Sequence, residues 1–397
     1  SLFPVTMPAG TETDNPPPPT SPRSQSPRLP PADASPLSPT PPPQPTCTMQ
    51  DINRYLCAHP TLLRDATATK HLVSSLSTFN QENTSIPRSF NYSTNQADRL
   101  DRMVSLAFDV YETLRKQSST NGGGQQIVLG GTNTALRQLH QVLLTAYKIL
   151  LRKQANRAGL GAAGVRALGL LVSMASSNTV AAEGSNALLN MCYEANNVSL
   201  LVEEVGVQFI IQFLHSSDAE VQASAAGALQ SICFQYMGRA AAKDHQIIPA
   251  LVPLLTSDNH KVRDRTIGCL HNLSSDSMSI REIREAGALP GLVAMLQTCT
   301  PSACTAAAGT IQNMSREPLS RDLLLKEHPK VIDSLTDLLF GSDVQGQANA
   351  VGALMNLLGP NMEGEENTEE RMAFKQLLSQ SIAIGTVWQT VFEEDVL

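Results

Sequence analysis

Two landmarks recur through this chain in a single register. The hexapeptides NALLNM (186–191), GALQSI (227–232), GCLHNL (268–273), GTIQNM (309–314) and GALMNL (352–357) align on Leu188, Leu229, Leu270, Ile311 and Leu354. Their spacings are 41, 41, 41 and 43 residues. A second set of anchors, Leu214, Leu255, Leu296 and Leu339, keeps step 15 residues earlier. A unit of this size cannot bury its own apolar face. Copies of it must stack, each covering the next, which constrains the fold to a repeat array.

Each unit reads as three helices. A short one comes first, such as Ser279 to Glu285. A reversal follows, with Gly206 and Gly287 where the chain needs positive φ, and Gln246 and Pro329 in the sister units. The second helix reads ALPGLVAML, with Pro249 and Pro290 near its first turn, where the missing N–H costs nothing. A polar loop leads to the longer third helix. Ser217-Asp218-Ala219-Glu220 offers a capping box there, and Thr300-Pro301 an N-cap with proline at the first helical position. The first unit is degenerate: Ser173 stands where a leucine anchor is expected, and Asn186 replaces the glycine.

A period near 41, three helices per unit and Gly-x-[Leu/Ile]-x-Asn late in the unit resemble the armadillo repeat family over about residues 161–360. The resemblance implies an all-α fold, a right-handed α-solenoid whose third helices line a concave groove. It also implies a binding role without catalysis. The glycine argues against the importin-alpha type, which carries tryptophan at that place; the only tryptophan here, Trp388, lies outside the ladder. The repeats look more like the beta-catenin type, although a lysine row that reads acidic ligands is not evident.

Gly227, Gly268, Gly309 and Gly352 each precede a ladder position by four residues, one helical turn. The ladder holds Asn190, Asn272, Asn313 and Asn356, and Ser231 interrupts it. Four interior glycines cost on the order of 4 kcal/mol against alanine. Close helix approach would offset that, as would a trough for a ligand backbone. An asparagine amide matches a peptide backbone in donors and acceptors, and in the family this ladder holds extended peptides. The same amide can instead bond the next repeat and act as fold glue. In the groove reading these eight residues bind a partner, and loss of the ladder should weaken binding far more than stability.

The flanks differ. Sixteen of the 25 prolines lie before residue 47. Residues 1–47 are expected to be a disordered Pro/Ser-rich tail, either a plain linker or a phosphate acceptor at Ser21, Ser26, Ser35, Ser38 and Thr40, each followed by proline. Residues 48–160 are expected to be helical with degenerate repeats and a flexible 118–131 loop. Residues 361–397 are expected to supply capping helices, on the pattern Phe374, Leu377, Leu378, Ile382 and Trp388.

Composition narrows the function classes. A net charge of −7 without clustered lysine and arginine excludes a nucleic-acid footprint. The HKVRDR stretch, His260 to Arg265, reads as a solvated helix face. Seven cysteines without a C-x-x-C pair favour reduced thiols in the cytoplasm or nucleus, and no metal site. No apolar run approaches a membrane span. No phosphate loop, HExxH, GxSxG or dinucleotide fingerprint occurs. His271, beside the ladder, reads as a packed or surface histidine. The expectation is a non-enzymatic scaffold or adaptor without cofactor or small-molecule substrate, binding a protein or peptide. Alternatives are an exchange factor for a small G protein or chaperone, and a structural subunit of an assembly such as a ciliary axoneme.

Overall fold

The structure is a computed structural model that describes residues 47–84, 98–120, 130–298 and 300–358. Among these the regular elements are all helical. They are α1 (Met49–Ala58), α2 (Ala66–Thr84), α3 (Asp101–Thr120), α4 (Gly130–Leu150), α5 (Gln154–Ala158), α6 (Gly161–Ser173) and α7 (Asn178–Met191). Next come α8 (Ala195–Glu204), α9 (Gln208–Leu214), α10 (Ala219–Phe234), α11 (Tyr236–Asp244), α12 (Ile248–Leu251) and α13 (His260–Leu273). The series ends with α14 (Ser277–Glu285), α15 (Leu289–Thr298), α16 (Pro301–Met314), α17 (Pro318–Glu327), α18 (Lys330–Leu338) and α19 (Val344–Leu358). The proline-rich tail, the centre of the 118–131 loop and the capping segment lie outside the described residues.

From α5 onward the helices group in threes, five units in all among the described residues. The third helices α7, α10, α13, α16 and α19 pack side by side, each on the next. The row extends backward through α4 and α2, so two N-terminal helix pairs continue the layer without the landmark residues. Shorter helices form the other layer. All nine anchors are buried between the two: Leu188, Leu229 and Leu270 are fully inaccessible, and Leu296 is the most exposed at 5%. The repeat period is thus the period of the core.

Each junction between repeats is also fixed by polar rows in the same register. Glu194, Gln235, Asp276 and Glu317 sit at the N-caps of α8, α11, α14 and α17. Arg157 reaches forward to Glu194 at 3.2 Å, Lys243 to Asp276 at 3.1 Å, and Arg284 grips Glu317 through two bonds of 2.8 and 3.1 Å. The Arg284 bonds hold the Glu317 carboxyl below its ordinary range. Burial alone would raise Asp276, but hydrogen bonds from Lys243 and Ser279 outweigh it and lower the group. Arg157, Arg239 and Arg321, two repeats apart, donate to carbonyls at or just past the C-terminal ends of α4, α10 and α16, at Arg152, Phe234 and Ser315. Those carbonyls have no partner within the helix, so the guanidinium groups close the helix ends.

Local signals act as the sequence suggests, with one correction. Thr300 caps α16 by accepting from Ala303 N–H, with Pro301 at the first position. On α10, however, the N-cap is Asp218, not Ser217; it accepts from Glu220 and Val221 N–H. Glu220 therefore falls one place short of the capping-box position and points to Lys261 instead. Gly206 and Gly287 have φ of 83° and 79°, and Gln246 is held at φ 52° in the equivalent turn. Pro329 takes the turn with φ −57°. Gln246 is exposed, and its backbone carries the left-handed penalty of a residue with a Cβ. Gln246→Gly is expected to raise stability by about 0.5–1 kcal/mol, read as a higher urea midpoint at unchanged slope.

Candidate functional site: the third-helix face

On each third helix, residues at intervals of four, three and four share a face. Along α13 these are Lys261, Arg265, Gly268 and Asn272. The same rows give Thr179, Glu183, Asn186 and Asn190 on α7, and Glu220, Ser224, Gly227 and Ser231 on α10. They give Ser302, Ala306, Gly309 and Asn313 on α16, and Gln345, Asn349, Gly352 and Asn356 on α19. The eight predicted residues therefore lie in two parallel rows across the stack.

The ladder amides bond the preceding repeat. Asn190 Nδ2 donates to Lys148 O at 2.8 Å, Asn272 Nδ2 to Gln230 O at 2.8 Å, and Asn356 Nδ2 to Gln312 O at 3.0 Å. Asn313 Nδ2 donates to Ser274 Oγ at 3.0 Å. Bonding of this kind ties neighbouring third helices together. It also fixes the rotamer, and among the described residues no donor reaches the four Oδ1 atoms. Asn190 and Asn313 are buried, whereas Asn272 and Asn356 are half-buried.

The glycine row is filled by a row the sequence reading did not single out. Leu189, Gln230, His271 and Gln312 each stand one residue before the ladder, again 41 apart. Each lies over the glycine of the next repeat. A Cβ on Gly227 would stand 2.8 Å from Leu189 Cδ1, and one on Gly309 would stand 2.6 Å from His271 Nε2 and 2.8 Å from Asn349 Nδ2. On Gly268 and Gly352 it would collide with the amides of Gln230 and Gln312. The glycines thus let one repeat press a side chain into the next. The register of this row is visible in the sequence, but a leucine, a histidine and two glutamines have no common chemistry, so only their position marks them.

One of these groups is titratable. His271 is 8% exposed, and burial pushes its pKa down to about 4. It is a neutral packed ring. His140 on α4 is also buried; desolvation lowers it to about 4 although its Nε2 bonds Leu171 O at 2.9 Å. Elsewhere on the face the polar groups bridge repeats in pairs. Lys148 Nζ meets Glu183 at 2.5 Å, Asn186 Nδ2 donates to Ser224 Oγ at 2.9 Å, and Asn349 Nδ2 donates to Thr305 O at 3.0 Å. Among the described residues no group of three or more His, Cys, Asp or Glu is placed to hold a metal ion, and no single helix is long and apolar enough to cross a membrane.

Known proteins match this arrangement at two levels. Residues 237–275, from α11 to the end of α13, match the family model of the Armadillo/beta-catenin-like repeat. A designed armadillo repeat protein superposes with a TM-score of 0.52 at 19% identity, over 63% of this chain and 98% of that one. A second, solved in complex with the peptide (KR)4, gives 0.51 at 19% identity, over 66% and 100%. The crystal structure of an engineered protein gives 0.55 at 19% identity, over 78% and 69%. No curated protein matches the sequence. The chain thus carries an armadillo repeat at residues 237–275 within a solenoid of the armadillo fold.

Proposed function

We propose that this protein is a non-catalytic interaction scaffold that holds an extended peptide, or an extended segment of a partner protein, against its third-helix face. The observation that carries this reading is the row of amide oxygens. Asn190, Asn272, Asn313 and Asn356 are held in one orientation by their Nδ2 bonds, leaving one acceptor in each of four of the five repeats. An extended chain presents backbone N–H groups at regular intervals and can donate to such a row without regard to its side chains. Repeat solenoids form long concave surfaces of this kind. A designed relative with the same fold was solved with a peptide bound, which supports the same use here.

The test measures two quantities on one variant, Asn272→Ala/Asn313→Ala/Asn356→Ala. A partner is first captured on the immobilised protein, identified, and then titrated as a pure species. Three lost contacts should weaken its binding on the order of a hundredfold. The amide bonds between repeats add a stability cost, as the fold-glue alternative requires. It should reach only about 1–2 kcal/mol, because alanine's better helix propensity offsets part of the loss. Wild-type affinity per folded molecule, together with a lowered unfolding midpoint, would leave the ladder as fold glue and remove the proposal.

A further inference from the structure

The last described repeat ends on an apolar face that its predecessors keep covered. On α19, Val351 is half-buried, although Ala226, Ile267 and Ala308 hold the same place in earlier third helices and are fully inaccessible. Met355, one turn on, is 46% exposed. It stands in the row of Leu189, Gln230, His271 and Gln312, each of which lies over the glycine of the following repeat. On α18, Ile332 and Leu338 are half-buried, whereas their counterparts on α15, Leu289 and Met295, are buried. Just past α18, Phe340 is 71% exposed. Its counterpart, Gln297, reaches the following repeat by donating from Nε2 to Ser334 Oγ at 2.9 Å. Apolar surface gathered at these positions is what a missing neighbour leaves behind.

The chain itself carries a match. After Leu358 it runs on for 39 residues, close to one period. Val331, Leu335 and Leu339 are the buried residues of α18 and its C-cap. At 43 residues beyond them stand Phe374, Leu378 and Ile382, and 43 is also the step from Leu296 to Leu339. The place of Ser334 falls on Leu377 in the same register. The polar pair Gln297 and Ser334 at one junction thus becomes an apolar pair, Phe340 and Leu377, at the next. Both members change together, as two side chains in contact must. Charge fits as well. Asp333 and Asp337 are exposed on α18, and residues 371–382 carry Arg371 and Lys375 with no acid. A second copy seated on this face through the same surface would set those aspartates against themselves. The correspondence stops before the next third helix, where Glu393 takes the place of buried Ala350 and Asp395 that of Gly352.

We propose that residues 374–382 cover the α18–α19 end face as the second helix of a sixth unit, with Leu377 against Phe340. The general expectation of a cap beyond residue 361 is thereby narrowed to one segment and one contact. The assignment stands whether or not the third-helix face binds a peptide.

Hydrogen exchange of the purified full chain, read peptide by peptide in a mass spectrometer, tests it. Amides of 374–382 should exchange about tenfold or more slowly than in the same sequence as a free peptide. Phe340→Asp should remove that protection, and so should Leu377→Asp. Both should speed exchange in α19 and leave α10 and α13 unchanged. Phe340 is exposed, so its replacement spares the rest of the fold. The double variant Phe340→Gln/Leu377→Ser repeats the pair found one junction earlier and should exchange more slowly in 374–382 than Phe340→Gln alone. Absence of protection in the wild type would overturn the proposal. Protection indifferent to Phe340→Asp would overturn it too, because the segment would then be docked elsewhere. Protection of α19 that fades on dilution, with a dimeric mass at high concentration, would give the face to a second copy instead.

Discussion

Gly309→Trp is expected to destabilise the solenoid by about 3 kcal/mol or more, by overpacking a site with no free volume. Tryptophan is what importin-alpha-type repeats place here, so the substitution tests what the glycine is for. In this chain the space above Gly309 is taken by the His271 ring on one side and Asn349 on the other. Both are anchored: His271 is buried, and Asn349 donates to Thr305 O while accepting from Gln345. An indole must expel one of them. The companion variant His271→Ala/Gly309→Trp removes the obstructing ring and should recover a large part of the loss. Urea midpoints of the two single variants and the double give the coupling directly. A tolerated Gly309→Trp, or a double variant no better than the worse single, would show that the trough is open and that His271 does not fill it.

The same contact shows how much of this molecule its sequence makes readable. The core was legible because its anchors are of one chemical kind and recur at one period. Leu188, Leu229, Leu270, Ile311 and Leu354 are apolar, evenly spaced and buried. The glycine row was legible as a row, but its occupant was not. Leu189, Gln230, His271 and Gln312 share a position and a rough volume, but one is apolar, one is an imidazole and only two are the same residue. The hydrogen bonds of the ladder were hidden for a different reason. Asn272 bonds the carbonyl 42 residues earlier, one place before the preceding ladder position. That offset is set by how far one repeat is rotated on the next, a quantity no single helix encodes. In the sequence Arg265 reads as part of a solvated face, since HKVRDR has no pattern of its own. Its setting over Gly227 appears only when α10 and α13 are side by side. On α10 the choice of cap between Ser217 and Asp218 turned on backbone angles, because either side chain supplies the oxygen.

Acid is expected to weaken the fold well before its carboxylates titrate. His140 and His271 are buried and held neutral, each with a pKa lowered from 6.5 to about 4 by desolvation. In the unfolded chain both recover the ordinary histidine value, so the unfolded state binds more protons between these limits. Stability is therefore present above pH 6.5 and is lost as the pH falls toward 4, by on the order of 3 kcal/mol for each ring. Two such losses are comparable to the whole stability of many domains. The lowered carboxylates act in a separate window. Asp276 and Glu317, whose ordinary values are 3.8 and 4.5, contribute stability that disappears only as the pH falls through their still lower folded values. The variant His140→Gln/His271→Gln isolates the histidines. Glutamine keeps a donor for the Leu171 carbonyl that His140 now bonds. At position 271 it repeats the choice already made at Gln230 and Gln312, which lie over glycines in the same way. Urea midpoints between pH 7 and pH 4 should fall steeply for the wild type and much less for the variant. Parallel curves would mean that neither ring is held neutral by its burial.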